Sequence, residues 1–204
     1  MEGMPMRFIK PSSLIFATLL TLGLLHLPGC TMTIKDKEEK TGAKKVDIDT
    51  PMGSMRVREE ADVRDTGLTV YPGARRRERK SDDHDSHSAN VNISSSLFGL
   101  KVVAVEFESD DAPDKIADYY KKELKKFGEV VRCKGKGNFD DFNIDAGTHK
   151  DARVTCGDDD EKGSGVELKA GSNNNQHVVS IDSNGTGSRF ALVYVQARGK
   201  GETI

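Results

Sequence analysis

The sequence predicts an α+β fold, with an antiparallel β-sheet of about five to six strands and one amphipathic helix packed on one face. Two observations carry this prediction. Several short runs alternate apolar and polar side chains and are separated by Gly/Asn-rich turns, whereas a single segment has the 3.6-residue period of a helix. Of the 204 residues, 35% are hydrophobic and 31% are charged, so we expect one modest core with polar segments outside it.

The first 29 residues have the three parts of a signal peptide. Arg7 and Lys10 give a positive start, an apolar stretch runs from Leu14 to Leu27, and Leu27-Pro28-Gly29-Cys30 closes the segment. The apolar stretch is shorter than the roughly 18 residues that a membrane-spanning helix needs. We therefore expect residues 1–29 to be removed after export.

The end of this segment resembles the bacterial lipoprotein signal, in which an aliphatic residue and two small residues precede a cysteine. Leu27, Gly29 and Cys30 match that pattern, and Pro28 departs from it. The resemblance implies acylation of Cys30 by diacylglyceryl and palmitate-type chains, with cleavage just before it. Thr31 in place of Asp points to the outer membrane, facing the periplasm. The alternative is an ordinary cleaved signal peptide.

The next two segments are expected to be mostly polar connections. Residues 30–44 are charged and predict a flexible tether. Residues 45–88 predict a small hairpin and a solvated loop. In the hairpin, Val46 and Ile48 alternate with acids, Pro51 and Gly53 mark the turn, and Met55 and Val57 alternate with arginines. Because an isolated hairpin is marginal, it must pack on something or stay partly disordered.

The α+β domain is expected over residues 89–200. Strands are predicted around 91–97 and 103–107. A helix follows, with Asp111 as its cap, Pro113 in its first turn and Gly128 as its stop. Its apolar stripe contains Ile116, Tyr120, Leu124 and Phe127. Later strands are predicted at 129–133, 152–156, 166–170, 177–182 and 189–197; the last is apolar on both faces, which is typical of a central strand.

Cys133 and Cys156 are the two remaining cysteines. If the protein is exported they form a natural disulfide pair, and if it is cytosolic they are two buried thiols. We favour the disulfide, because no CxxC pair or adjacent base indicates redox chemistry.

Two loops, 75–90 and 135–150, contain residue types that bind metal ions. His84 and His87 lie in an acidic loop, and Asp141, Asn143 and Asp145 begin like a calcium loop. The second match fails, because the glycine comes one residue late and the twelfth position is Ala152 instead of Glu. Solvated loops are the favoured interpretation of both. The same holds for the basic run from Arg75 to Lys80, whose alternative is contact with anionic lipid or cell-wall polymer.

No catalytic set can be assembled from the sequence, which has no GxSxG, HExxH or phosphate loop. We therefore expect no enzyme activity and no cofactor. The net charge of −2 gives no reason to expect nucleic acid as a partner.

Residues 46–128 contain a combination of three features. These are the turn Tyr71-Pro72-Gly73-Ala74, a strand ending in Phe107, and a helix with Asp111, Tyr119, Tyr120 and Leu124. This combination resembles a group of uncharacterised bacterial exported proteins and lipoproteins. The resemblance brings no activity with it. The expected function is a non-catalytic envelope lipoprotein, held to the membrane through Cys30, whose domain binds a protein or cell-wall polymer. The alternative is a lipoprotein that binds a small ligand or a divalent metal through loops 75–90 or 135–150.

Overall fold

A computed structural model of the chain describes residues 44–77, 88–135, 152–157 and 164–199, together with the backbone of 33–38. These residues all belong to one compact unit. No helix in the described ranges is long and apolar enough to cross a membrane.

Two long strands, β6 (Gly99–Ser109) and β10 (Gly187–Arg198), form the centre of the sheet. They pair antiparallel over the full length of β6, with Phe107 opposite Phe190 and Val103 opposite Tyr194. Alternate side chains point to opposite faces of a strand. Because β6 is apolar at consecutive positions from Val102 to Val105, it contributes to a core on both of its faces.

The other strands extend this pair on both sides. They are β1 (Thr33–Glu38), β2 (Lys44–Thr50), β3 (Gly53–Arg58), β4 (Arg75–Arg76), β5 (Ser88–Ser95), β7 (Val131–Gly135), β8 (Gly165–Ser172) and β9 (Asn175–Asn184). The order across the sheet is β1-β2-β3-β5-β6-β10-β9-β8-β7, and the two-residue β4 pairs with β6 beside β5. Every pairing is antiparallel.

The predicted fold class is therefore wrong. The described residues are mainly β, with nine strands in one path of a single sheet and one short α-helix, and they do not form an α+β fold of about five to six strands. The difference arises because the hairpin β2–β3 pairs with β5 and continues the sheet, and β1 then adds to β2. The predicted hairpin itself is confirmed, as is the central position of the last strand, between β6 and β9.

The helix α1 (Pro113–Glu123) continues into a 3₁₀ turn, Leu124–Phe127, and ends at Gly128. Its side chains enter the larger core cluster beside β6, β8, β9 and β10. The largest fully buried members of that cluster are Tyr120, Phe190, Ile116, Leu124 and Leu168. A smaller cluster on the opposite face of the sheet contains Ala104, Val178, Ala191, Val193 and Val195.

Three local predictions differ from the structure. Ala112 occupies the N-cap of α1 and makes no side-chain capping bond, whereas Asp111 bonds Lys115 and Tyr71. The predicted strand at 152–156 is reduced to one bridge between Arg153 and Ser172. Thr33–Glu38, within the predicted tether, forms β1, because its backbone can pair with the open edge of β2 although the segment has only one apolar residue, Ile34.

Two turns lie at the same end of the sheet, which we call the tip end. Residues 51–52 join β2 to β3, and residues 96–98 join β5 to β6. Gly53 pairs with Ser95, so the two turns are neighbours. The first residue of β1, Thr33, pairs with Asp49 at this end.

Candidate functional site

An open and mainly apolar feature of the described chain lies at the tip end. A cavity of about 290 Å³ is lined by apolar side chains of β2, β3 and β5, among them Ile48, Met55 and Ile93, which pair across the strands. Met52, Leu97 and Phe98 stand at its rim, and we call these three residues the tip patch. Met52 is 74% exposed, Leu97 55% and Phe98 47%. Such an exposed apolar group favours contact with another apolar surface.

Hydrogen bonds within the two turns hold the tip patch outward. The Ser95 hydroxyl oxygen accepts from the backbone N–H groups of Leu97, at 3.2 Å, and Phe98, at 3.0 Å. In the other turn the Thr50 hydroxyl donates to the Gly53 carbonyl at 2.9 Å. A Cβ atom on Gly53 would overlap the Ser94 carbonyl oxygen, so glycine permits the close approach of β3 to β5.

Five of the residues that carry the family resemblance come together in one cluster: Tyr71, Phe107, Asp111, Tyr119 and Tyr120. Tyr71 packs edge-on against Tyr119, with ring centroids 5.1 Å apart, and its hydroxyl donates to Asp111 at 2.8 Å. Bonds from Lys115 and Tyr71 lower the pKa of Asp111, and the bond to Asp111 raises the pKa of Tyr71. Phe107 stacks on Phe190 beneath them, at 5.6 Å. The cluster joins the segment before β4 to the helix.

Tyr120 forms the buried link in this cluster. Its hydroxyl accepts from the Tyr71 backbone N–H at 3.0 Å and donates to the Thr69 carbonyl at 3.1 Å. Because the side chain is fully buried, desolvation of the charged form raises the pKa of Tyr120 above its ordinary value. The hydroxyl therefore stays protonated and serves as a structural bridge between backbone groups.

His177 is the buried imidazole of the described chain. Its ring stacks on Phe127, with centroids 3.5 Å apart, and Nδ1 lies 2.9 Å from the Thr66 carbonyl. Since a carbonyl can only accept, Nδ1 carries the proton of this bond. Burial lowers the pKa of His177, and Lys126 adds to that effect, while the bond to Thr66 opposes it. The neutral ring is thus favoured in the folded protein.

A second cavity, of about 280 Å³, lies beside this ring. Its lining includes Phe127, Ser172, Asn175 and His177, so aromatic and polar side chains meet there. Sites for small molecules likewise combine aromatic side chains with a few polar groups that fix the orientation of the ligand.

The described part of the basic run bonds to the protein itself. Arg75 makes a two-bond pair with Asp110, at 3.0 and 2.8 Å, and Arg76 donates to the Ala61 carbonyl at 2.7 Å. Arg77 pairs with Glu106 and, at 3.1 Å, with Glu108. These three guanidinium groups are therefore matched by acids and a carbonyl on neighbouring elements.

Cys133 and Cys156 are joined as a disulfide, with their Cα atoms 5.6 Å apart, within the usual range for such bonds. Cys133 lies buried in β7, and Cys156 is exposed in the short segment after residue 151. The bond ties this segment to the edge of the sheet.

The remaining predicted site residues lie outside the described ranges. These are Cys30 and the metal candidates His84, His87, Asp141, Asn143 and Asp145. Within the residues that the structure does describe, no three metal-ligating side chains come together. Two features were missed by the sequence analysis, namely the His177 environment and the tip patch. The apolar pair Leu97-Phe98, which directly precedes Gly99, is the sequence pattern that indicates the tip patch.

Comparison with protein-family models gave no match, and comparisons with curated proteins and with solved structures gave none either.

Removing the Tyr120 hydroxyl should destabilise the protein. Tyr120→Phe removes the partner of the half-buried Tyr71 N–H and of the Thr69 carbonyl, so we expect a loss of about 0.5–1.5 kcal/mol in the free energy of unfolding. Urea unfolding measures it. Tyr119→Phe is the matched control, because its hydroxyl bonds only the exposed Thr69 side chain. Equal effects of the two variants would contradict the bridging role.

The disulfide should be closed in the native protein and should contribute to stability. Alkylation under non-reducing conditions is expected to leave Cys133 and Cys156 unmodified. The double variant Cys133→Ala/Cys156→Ala should lose about 3 kcal/mol, as estimated for a closed loop of this length. Wild-type protein unfolded with and without reductant is the control; identical midpoints would contradict a stabilising disulfide.

His177 should make stability depend on pH. Because its folded pKa is lowered, its contribution is complete above the unfolded pKa of about 6.5 and declines as the pH falls below that value toward the folded pKa. Urea unfolding between neutral and mildly acidic pH should therefore show a decrease that is smaller in His177→Asn. Parallel pH profiles for the two proteins would refute this assignment.

Proposed function

We propose that this chain is a bacterial envelope lipoprotein, anchored through acyl chains on Cys30, whose β-sheet domain is a non-catalytic binding module. The N-terminal sequence carries the proposal. Charge at Arg7 and Lys10, an apolar stretch of signal-peptide length and Leu27-Pro28-Gly29-Cys30 follow each other in the required order. Two or more acyl chains hold a protein stably on a bilayer, whereas one chain binds only marginally.

The pairing of Cys133 with Cys156 supports export. Disulfides persist in oxidising compartments such as the periplasm and are reduced in most bacterial cytosols. The loop between the two cysteines spans a sequence separation of 23 residues, so closing it restricts the unfolded chain substantially. A cell-envelope location, with the outer membrane as the expected side, agrees with both features.

The polar side chains of the two clusters around Tyr120 and His177 have structural partners, which fits a non-catalytic domain. The Tyr120 hydroxyl and His177 Nδ1 are both engaged with backbone groups, and the Tyr71 hydroxyl bonds Asp111. Groups held in this way brace the fold, which is the usual role of hydrogen-bonded polar groups inside a protein. We infer a protein or cell-wall polymer as the partner of the domain.

Small-ligand binding is the second candidate. The cavity beside His177 favours it, because aromatic and polar side chains line a volume of about 280 Å³, which is near the size of the smallest ligand pockets. The loops 75–90 and 135–150, whose residue types suggest this role, fall largely outside the described residues.

Substitution of the anchoring cysteine tests the proposal. Cys30→Ser should abolish incorporation of labelled palmitate and release the protein from the membrane fraction, because serine offers no sulfur for the thioether-linked lipid. Thr31→Ser is the matched control and should behave as the wild type does. Palmitate labelling that persists in Cys30→Ser, or is missing from the wild type, would refute anchoring at this residue.

A further inference from the structure

The tip end combines three exposed apolar side chains in two adjacent turns. Among the described residues, four large apolar side chains are exposed, and three of them are Met52, Leu97 and Phe98; the fourth is Val70. Such clustering of exposed apolar side chains is unusual, because on most protein surfaces they occur singly. The patch is also continuous with the apolar cavity lined by Ile48, Met55 and Ile93.

The register of β1 connects this patch with the N-terminus. Thr33, the first residue of β1, pairs with Asp49, and Ile34 pairs with Ile48, which lines the cavity. The chain therefore enters the sheet at the tip end. Cys30 precedes Thr33 by three residues, and a fully extended chain of that length spans about 10 Å. After processing before Cys30, the first residue of the mature protein cannot lie farther than this from the start of β1.

Charged side chains beside the patch bond within the protein. Asp49 pairs with Arg56 at 3.4 Å, and Arg198 donates to the Ser94 hydroxyl at 3.0 Å. The hydroxyl groups of Ser94, Ser95 and Ser96 border the apolar side chains. An apolar projection surrounded by hydroxyl groups suits the boundary between lipid headgroups and acyl chains, where apolar side chains are buried about 5–10 Å deep.

The geometry points to the tip patch as a membrane-contacting surface: Met52, Leu97 and Phe98 insert into the outer part of the same bilayer that holds the lipid on Cys30. This inference rests on the proposed anchoring. The anchor restricts the domain to within a short tether of the lipid surface, and the patch then fixes which end of the sheet faces that surface. The opposite end, with the turn at residues 185–186, points away from the membrane.

The absence of tryptophan from the chain permits a direct test. Met52→Trp and Thr186→Trp each introduce a single fluorophore in an exposed turn, at the tip end and at the opposite end. The full-length proteins are produced in a lipoprotein-processing bacterium, purified in detergent and reconstituted into phosphatidylcholine vesicles with or without brominated acyl chains. Intact mass and vesicle flotation are recorded first, because they report lipidation and anchoring independently of fluorescence.

Brominated lipid should quench the emission of Met52→Trp by at least about twofold and leave that of Thr186→Trp nearly unchanged, as the shallow depth of insertion requires. Phe98→Trp should behave as Met52→Trp does and guards against a local disturbance at position 52. Floating, lipidated protein with no quenching at either tip position would overturn the inference while leaving the anchor intact.

Three other results would also overturn it. Equal quenching of Met52→Trp and Thr186→Trp would show that the domain has no fixed orientation. A blue-shifted emission that brominated lipid does not affect and that dilution abolishes would identify the tip patch as a contact between two copies of the chain. Unlipidated protein that fails to float would remove the anchor and, with it, the basis of the inference.

Discussion

The pairing of β6 with β10 is the constraint on which the other elements depend. Each residue from Gly99 to Ser109 faces one residue of β10, from Arg198 back to Ser188. A shift of one residue would turn every side chain to the opposite face. Because this pair is buried by a core cluster on each face, such a shift would misplace both clusters together. The register is therefore fixed by packing on two sides, and β9 and β5 inherit it through their own pairings with β10 and β6.

The end of this pairing is also sterically fixed. A Cβ atom on Gly187 would overlap the Ser109 carbonyl oxygen, so β10 begins at a point where only glycine lets the two backbones approach this closely. Directly beyond it, the Ser188 hydroxyl donates to the Asp111 carbonyl at 2.6 Å. The turn that leads into α1 is thus held against the start of β10. The helix then positions Tyr120, which holds the segment containing Tyr71 by backbone bonds. The β6–β10 pair, the helix α1 and the segment containing Tyr71 are therefore joined by one continuous series of contacts.

The sequence revealed individual elements better than it revealed their assembly. Alternation in β2, β3 and β10 and the stripe of Ile116, Tyr120 and Leu124 were clear, because these side chains enter a core. β1 was missed because its pairing depends on backbone groups, which leave no apolar period. The merging of the hairpin with the rest of the sheet was missed for a related reason, since no local pattern states which strand pairs with which. Asp111 is a residue type that commonly caps a helix. Its carboxylate instead accepts hydrogen bonds from Lys115 and Tyr71.

Of the candidate sites, the sequence predicted the disulfide but neither of the two sites that depend on strand pairing and tertiary packing. Cys133 and Cys156 could be matched from the sequence because only two cysteines remain once Cys30 is assigned to the signal. The environment of His177 could not be predicted from the sequence, because Thr66, Phe127 and Tyr194 come from three distant parts of the chain. The tip patch could not be predicted either, because its two turns become neighbours only through the pairing of Gly53 with Ser95.

One edge of β6 is shared by two separate pieces of chain. β4 pairs with Phe107 and Glu108, Arg77 donates its backbone N–H to the Glu106 carbonyl at 3.0 Å, and β5 resumes at Ser88 opposite Val105. Both ends of the intervening segment are thus fixed independently on neighbouring residues of one strand. The register of each piece is therefore set by its own ladder of hydrogen bonds to β6 and does not depend on the other. An insertion or deletion between Arg77 and Ser88 would consequently leave both sets of paired residues, and the sheet they belong to, unaltered.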